Sequence, residues 1–127
     1  MTHFQVARCL EIKRDIKALR KKYRHAEDDL RGAERLLENG KELRHVEEYP
    51  GFGSKEIYKA RYINRDLGNQ GLSSGYRIVY EMCNREDGIT CYIIIHVYGK
   101  KGSADEKDIK REVNKRIRSS AYPAVTS

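Results

Sequence analysis

The second half of the chain encodes a β-hairpin, and this hairpin limits the possible folds more than any other feature. Residues 76–83 alternate between aromatic or aliphatic side chains on one face of a strand and a second face that carries Arg77. The Asp87-Gly88 pair that follows is typical of a tight hairpin turn. Residues 89–98 then form a strand that is apolar on both faces, as expected for the centre of a sheet.

A third strand precedes the hairpin, over residues 57–63. Its alternation places Lys59 and Arg61 on one face, while the other face carries three core candidates, Tyr58, Ala60 and Tyr62. Strands that follow one another in sequence usually pair. We therefore expect Lys59 and Arg61 to share a face of the sheet with Arg77, and Tyr76 and Tyr80 to lie in the core.

Two helices are predicted before these strands. Apolar residues spaced three and four apart indicate a helix over residues 8–24, whose outer face is strongly basic. A second helix covers residues 26–39, and Gly40 is suited to close it in a left-handed conformation. The short linker between the two helices favours an antiparallel helical hairpin.

The remaining segments are the two ends of the chain and the stretch between the second helix and the first of these three strands. Met1–Val6 is a candidate short strand, whereas residues 41–56 lose periodicity and indicate a loop. A last helix starts at Ser103 or Asp105 and continues to about Ile117.

Together these elements predict an α+β domain of two layers. Its antiparallel β-sheet carries an N-terminal helical hairpin and a C-terminal helix on one face, and the other face is partly open. Residues 1–118 are expected to form this single domain, followed by a flexible tail over residues 119–127.

Charge points to the class of partner. The chain carries 26 Lys and Arg residues against 19 Asp and Glu residues, a formal net charge of +7. Such an excess favours nucleic acid, an anionic membrane surface or an acidic protein. No apolar run reaches membrane-spanning length, and Cys9, Cys83 and Cys91 form no Cys-x-x-Cys pair. We expect a soluble, cytoplasmic protein that does not associate with membranes and whose thiols are buried and reduced.

Missing motifs exclude several kinds of catalytic site. The sequence has no paired carboxylates, no His-Glu-x-x-His, no Cys/His metal spacing and no glycine pattern of a nucleotide-binding loop. We therefore expect no metal and no cofactor. The candidate chemistry is restricted to lysine, arginine, tyrosine and histidine side chains.

A cluster of cations is predicted on the open face of the sheet. Its members are Lys59, Arg61 and Arg77 on the strands, and Lys100 and Lys101 in the basic turn after the last strand. Like charges around one concavity repel each other unless a polyanion binds there. His96 and Tyr98, at the end of the last strand, would add stacking surfaces for bases or an acid/base group.

Three stretches resemble the RelE/ParE toxin superfamily, the toxins of bacterial type II toxin–antitoxin systems. They are Ile57-Tyr58-Lys59-Ala60-Arg61, Ser74-Gly75-Tyr76-Arg77-Ile78-Val79-Tyr80 and Val97-Tyr98-Gly99-Lys100-Lys101. The resemblance spans about residues 4–117 and is most specific around Gly75-Tyr76-Arg77. It implies a RelE-like two-layer, microbial RNase-type fold and an mRNA endoribonuclease that acts at the ribosome without a metal. In the RelE branch, cationic side chains promote attack of a ribose 2′-OH on the adjacent phosphate.

The resemblance also implies a role for each matching residue. Lys59 would be the general base or a charge stabiliser, and Arg61 stands where the RelE branch has a second lysine. Arg77 would hold the scissile phosphate and stabilise its developing charge. Lys101, or Lys100 beside it, takes the place of an arginine that protonates the leaving 5′ oxygen.

Departures from the RelE pattern concern the same surface. Lys107 stands where the RelE branch carries a tyrosine early in the last helix. An arginine at position 61 is a poor base, because it remains protonated. We assign three residues to RNA binding, His96, Tyr98 and Lys107.

Two other functions fit the same sequence. The first is a ParE-like toxin that inhibits DNA gyrase by protein binding, and the second is a non-toxic member of the fold that binds RNA or a protein. Either toxin is expected to bind a cognate antitoxin with an acidic, partly disordered segment that covers the basic face.

Overall fold

The computed structural model describes residues 3–100 and 105–123. Its strands and α-helices are, in chain order, β1 (His3–Arg8), α1 (Ile12–Arg20), α2 (Ala26–Glu38), β2 (Arg44–Glu48), β3 (Ile57–Tyr62), β4 (Tyr76–Asn84), β5 (Ile89–Gly99) and α3 (Glu106–Ile117). Two short 3₁₀ helices, Arg65–Gln70 and Leu72–Ser74, connect β3 to β4. The described residues contain no helix long and apolar enough to cross a membrane.

The five strands form one mixed sheet in the order β1-β5-β4-β3-β2. The three pairs from β5 to β2 are antiparallel, and the predicted hairpin turn between β4 and β5 is present. The prediction of a wholly antiparallel sheet is wrong at one edge, because β1 runs parallel to β5. Most of the chain separates these two strands, so no short turn requires them to be antiparallel.

Strand β2 lies within residues 41–56, where the sequence indicated a loop. This strand is the other edge of the sheet and most of its side chains are exposed, so it lacks the alternation that marks a half-buried strand. A bulge interrupts its pairing with β3 after Arg44. His45, within this bulge, has a φ of 49°.

One face of the sheet packs against α1 and α2. Tyr76, Ile78 and Tyr80 of β4 are buried there together with Ala60 of β3, as their spacing predicted. The helices contribute the apolar stripes of their inner faces, among them Ile12, Ile16, Leu30, Ala33 and Leu37. This core gives the arginine between Tyr76 and Ile78 a fixed backbone.

Helix α3 packs against the opposite face, which corrects the predicted placement of all helices on one side. Ile109 and Val113 of α3 join Val79, Ile93 and Ile95 in a second buried cluster. Strand β5 is apolar on both faces, and Val79 of β4 lies on this second face with Ile93 and Ile95, so this face also requires a covering layer. The part of this face beyond α3 carries the predicted cations.

The C-terminal segment after α3 continues onto the sheet, although the sequence predicted a flexible tail from residue 119. The hydroxyl of Tyr122 donates a 2.6 Å hydrogen bond to the buried carboxylate of Glu81 on β4. Residues 119–123 therefore belong to the packed domain.

Beyond the end of β1, side chains form hydrogen bonds with the backbone of the otherwise unpaired edge of β5. The last residue of β1, Arg8, pairs with Ile94, so the backbone of residues 95–97 has no neighbouring strand on that side. Asp15 of α1 accepts a 3.0 Å hydrogen bond from the Val97 amide, and Arg116 of α3 donates a 2.8 Å hydrogen bond to the Ile95 carbonyl. Buried backbone groups must be paired in this way.

Candidate nucleic-acid interface

A row of four side chains crosses the sheet on the face that also carries α3. Arg44 of β2 lies opposite Arg61 of β3, Arg61 lies opposite Arg77 of β4, and Arg77 lies opposite Tyr98 of β5. Residues directly opposite one another point to the same face, one strand spacing of about 4.8 Å apart. The arginine row, as we call Arg44, Arg61 and Arg77, therefore places one cation on each of three adjacent strands.

No carboxylate in residues 3–100 and 105–123 forms an ion pair with any member of the arginine row, whereas many other arginines of the chain are paired. Like charges placed directly opposite each other destabilise a sheet. Burial and the neighbouring charge of Arg61 lower the pKa of Arg77. Binding of an anion would relieve both unfavourable effects.

Backbone carbonyls orient the guanidinium of Arg77. Its Nη1 donates hydrogen bonds of 2.7 Å to the Gly75 carbonyl and 3.1 Å to the Ser73 carbonyl. A guanidinium has five N–H groups, so these contacts fix its position and leave other donors for a ligand. The loop before β4 thus holds Arg77 in place.

Gly75 is required at the start of β4 because two backbone segments approach closely there. A Cβ atom at residue 75 would overlap the carbonyl oxygen of Tyr62. The glycine lets the loop cross the end of β3, and its own carbonyl then accepts the hydrogen bond from Arg77. Any residue with a side chain would disturb this crossing.

Lys59 lies on the same face but has an acidic neighbour. Its Nζ is 3.4 Å from Oε1 of Glu106 in the first turn of α3, and it lies 5.1 Å from the ring centre of Tyr49. Burial opposes ionisation of Glu106, but the Tyr49 hydroxyl and the charge of Lys59 outweigh it and lower the pKa of Glu106. Sequence reasoning placed Lys59 correctly and missed Glu106.

His96 and Tyr98 have different surroundings. The rings are 5.1 Å apart and tilted by 34°. Nδ1 of His96 lies 2.9 Å from Oδ2 of the buried Asp15, so His96 belongs to the network that joins α1 to α3. Tyr98 lies opposite Arg77, so it is the better placed of the two to stack on an RNA base. Burial, with Glu106 nearby, raises the pKa of Tyr98 to about 12.

The remaining predicted site residues lie at the rim. Lys100 is exposed directly after β5, and Lys107 is exposed in the first turn of α3. Lys101 lies outside the described residues, as does Ser103; the cap of α3 is Asp105, which accepts a 2.9 Å hydrogen bond from the Asp108 amide.

Arg44 is a second residue of this surface, besides Glu106, that sequence reasoning missed. It lies in a stretch without periodicity, and its place in the row follows only from the pairing of β2 with β3. The one available signal was its position in a basic chain near a turn, which does not distinguish it from other surface arginines.

The arrangement suits the phosphates of a single nucleic-acid strand. The row from Arg44 to Arg77 spans two strand spacings, roughly 10 Å, whereas each strand of a DNA duplex carries one charge per about 3.4 Å of the helix axis. More than one phosphate fits along the row. Tyr98 at its end offers a ring on which a base can stack.

Comparison with known proteins adds no relative: a scan of protein-family models, a search of curated proteins and a search of solved structures each found no match to this chain.

Proposed function

We propose that this protein is a toxin of the RelE/ParE superfamily that cleaves mRNA at the ribosome without a metal. The observation that carries the proposal is the arginine row, three cations on adjacent strands without a carboxylate partner in the described residues. The motif resemblance around Gly75-Tyr76-Arg77 supports the same family, and its RelE-like fold with a helical hairpin is part of the proposal.

The proposed reaction is an intramolecular phosphoryl transfer. A ribose 2′-OH attacks the adjacent phosphorus, the bond to the 5′ oxygen of the next nucleotide breaks, and a 2′,3′-cyclic phosphate forms. Arg77 and Arg61 hold the phosphate and stabilise the charge that develops on its oxygens. Lys59 accepts the 2′-OH proton or stabilises charge, and Lys100 or Lys101 supplies a proton to the leaving oxygen.

An acidic antitoxin segment is the proposed physiological inhibitor. The arginine row has no ion pair with a carboxylate among the residues that the structure describes, and it lies on the same face as Lys59, so a segment carrying carboxylates would be attracted to it. Occupation of the row by carboxylates would exclude the RNA phosphates.

The ion pair between Lys59 and Glu106 favours a second candidate, an RNA-binding protein of this architecture that does not cleave. Glu106 forms an ion pair, at 3.4 Å, with the Lys59 ammonium group that the reaction would use. In this case the arginine row binds RNA and no strand is cut.

The experiment that tests the proposal uses purified protein in a translation extract with EDTA and a labelled mRNA. Wild type and Lys115→Ala, an exposed lysine on α3 away from the row, should both cut the mRNA and leave 2′,3′-cyclic phosphate ends. Arg77→Ala should not cut. Intact mRNA with wild type, or equal cutting by Arg77→Ala, would overturn the proposal; intact mRNA that remains bound to wild type would support the second candidate.

A further inference from the structure

Two cysteines lie directly opposite each other at the end of the β4–β5 hairpin. Cys83 of β4 and Cys91 of β5 are register partners, so their side chains point to the same face of the sheet. The hydrogen bond from the Arg85 amide to the Ile89 carbonyl, two positions nearer the turn, makes this a hydrogen-bonded pair. The Cα atoms of such a pair are about 5.5 Å apart, which is within the range of disulfides.

The exposure of the three cysteines separates this pair from the third. Cys9 is 2% exposed and donates to the Ile95 carbonyl, so it is a packed thiol of the core. Cys83 and Cys91 are free and partly exposed, which corrects the prediction that all three thiols are buried. Cys91 also lines an open cavity of about 460 Å³ beside β1, through which a small oxidant can reach its sulfur.

A carboxylate next to Cys83 is suited to take its proton. The Cys83 thiol donates to Oε2 of Glu81 at 3.2 Å, and Glu81 is 5% exposed. Burial and this carboxylate raise the pKa of Cys83 to about 12. Cys83 is therefore a protonated thiol at neutral pH, and a neighbouring base is needed when it reacts.

We propose that Cys83 and Cys91 are a modification site, which low-molecular-weight disulfides such as oxidised glutathione convert into a reversible cross-strand disulfide. The Cys91 thiolate attacks one sulfur of the oxidant, whose S–S bond breaks and releases one glutathione thiolate. Cys83 then attacks the Cys91 sulfur of the mixed disulfide, its proton passes to Glu81, and a second glutathione thiolate leaves. Two electrons move from the two protein thiols to the oxidant.

The geometry favours a bridge that is easily reduced. Cβ atoms of a directly opposite pair lie about 4.5–5.5 Å apart, whereas a disulfide needs about 3.5–4.5 Å, so the strands must draw together slightly. Such strain makes a disulfide more reducible and typical of reversible, regulatory use. The bridge would also remove one donor from Glu81, which holds Tyr122 of the C-terminal segment.

Incubation of the purified full chain with oxidised glutathione tests this proposal. Free thiols should fall from three per chain to one, because only Cys9 stays reduced. Trypsin places the two cysteines in separate peptides, residues 78–85 and 86–100, so the disulfide should join these peptides within one chain. Dithiothreitol should restore three thiols. Cys9→Ala is the matched control and should form the bridge as readily as wild type, with no free thiol left.

The variants Cys83→Ala and Cys91→Ala decide the outcome. Each should lose the joined peptides, and Cys83→Ala should stop at a glutathione adduct on Cys91. Circular dichroism of each variant checks that the sheet is intact. Two results would overturn the proposal: glutathione adducts on both cysteines of wild type without a bridge between them, or three free thiols after oxidation.

Discussion

Asp15 of α1 and Arg116 of α3 form a buried, bidentate ion pair between two helices that lie 101 residues apart in the chain. Arg116 donates to the two carboxylate oxygens of Asp15 at 2.6 and 2.7 Å, and the side chains are only 2% and 6% exposed. Asp15 also binds His96 and the Val97 amide. The pair therefore connects both helices to the strand that ends beside the arginine row.

Removing one member of this pair should destabilise the protein strongly. Asp15→Asn removes the buried carboxylate that pairs with both terminal nitrogens of Arg116 and leaves this guanidinium only its 2.8 Å ion pair with the partly exposed Glu112. Breaking a buried ion pair typically costs about 3–5 kcal/mol. We expect a free energy of unfolding in urea lower by this amount, whereas Arg14→Ala, which removes an exposed ion pair with Glu112, should cost less than about 1 kcal/mol. Equal effects of the two substitutions would show that the buried pair has no special role.

Acid should remove the advantage of wild type over Asp15→Asn. Burial raises the pKa of Asp15, but hydrogen bonds from Arg116 and His96 outweigh it and hold this pKa below its ordinary value of 3.8. A carboxyl with a depressed folded-state pKa stabilises the fold above pH 3.8, and this contribution is lost as the pH falls through the folded-state value. Urea unfolding of both proteins between pH 6 and pH 2 should show a constant gap above pH 4 that narrows below it. A gap that widens in acid would contradict this assignment.

Gly75→Ala should damage both stability and the site. The added methyl group meets the Tyr62 carbonyl, and forced overpacking costs about 1–3 kcal/mol. The strand start must shift, so the carbonyl that orients Arg77 moves with it. Thermal unfolding and RNA binding report the two effects. Gly99→Ala is the control, because a Cβ there would meet only ordinary contacts, the nearest at 3.6 Å from Tyr23.

Glu106→Gln should increase the affinity of the arginine-row face for RNA. The substitution removes the carboxylate 3.4 Å from Lys59 and leaves the shape of the side chain unchanged. An exposed pair of this kind contributes roughly 0.2–1 kcal/mol, so the gain in affinity for single-stranded RNA should not exceed about fivefold. Asp108→Asn removes the same charge two residues further along α3, where the carboxylate pairs with Arg111, and should change the affinity less. Equal affinities of Glu106→Gln and wild type would show that the Lys59–Glu106 ion pair does not weaken RNA binding to this face.

Local pattern predicted the parts of this molecule that depend on neighbours in sequence. The alternation in residues 57–63 and 76–83 placed Lys59, Arg61 and Arg77 on one face, and the structure confirms this because one side of those strands packs on a core. Strand β2 was not predicted because most of its side chains are exposed, and a strand without an apolar face shows no alternation of apolar and polar residues.

Contacts between distant segments left no local signal. The partner of Lys59 is 47 residues away in Glu106, and that of Asp15 is Arg116. In each case the sequence shows two charged residues on helices or strands whose relative position only the packed domain determines. For the same reason the apolar residues of β4 and β5 predicted a buried sheet without indicating that α3 covers its second face.

Mapping of RNA 5′ ends in bacteria after induced expression is the most direct test of the central claim that Arg77 and the rest of the arginine row act on mRNA. Wild type should arrest growth and produce new 5′ ends within translated messages, while Arg77→Ala, checked for folding by circular dichroism, should grow normally and produce none. Growth arrest with intact messages, or the same new 5′ ends with Arg77→Ala, would contradict the claim; arrest with DNA damage and intact messages would instead indicate gyrase as the target.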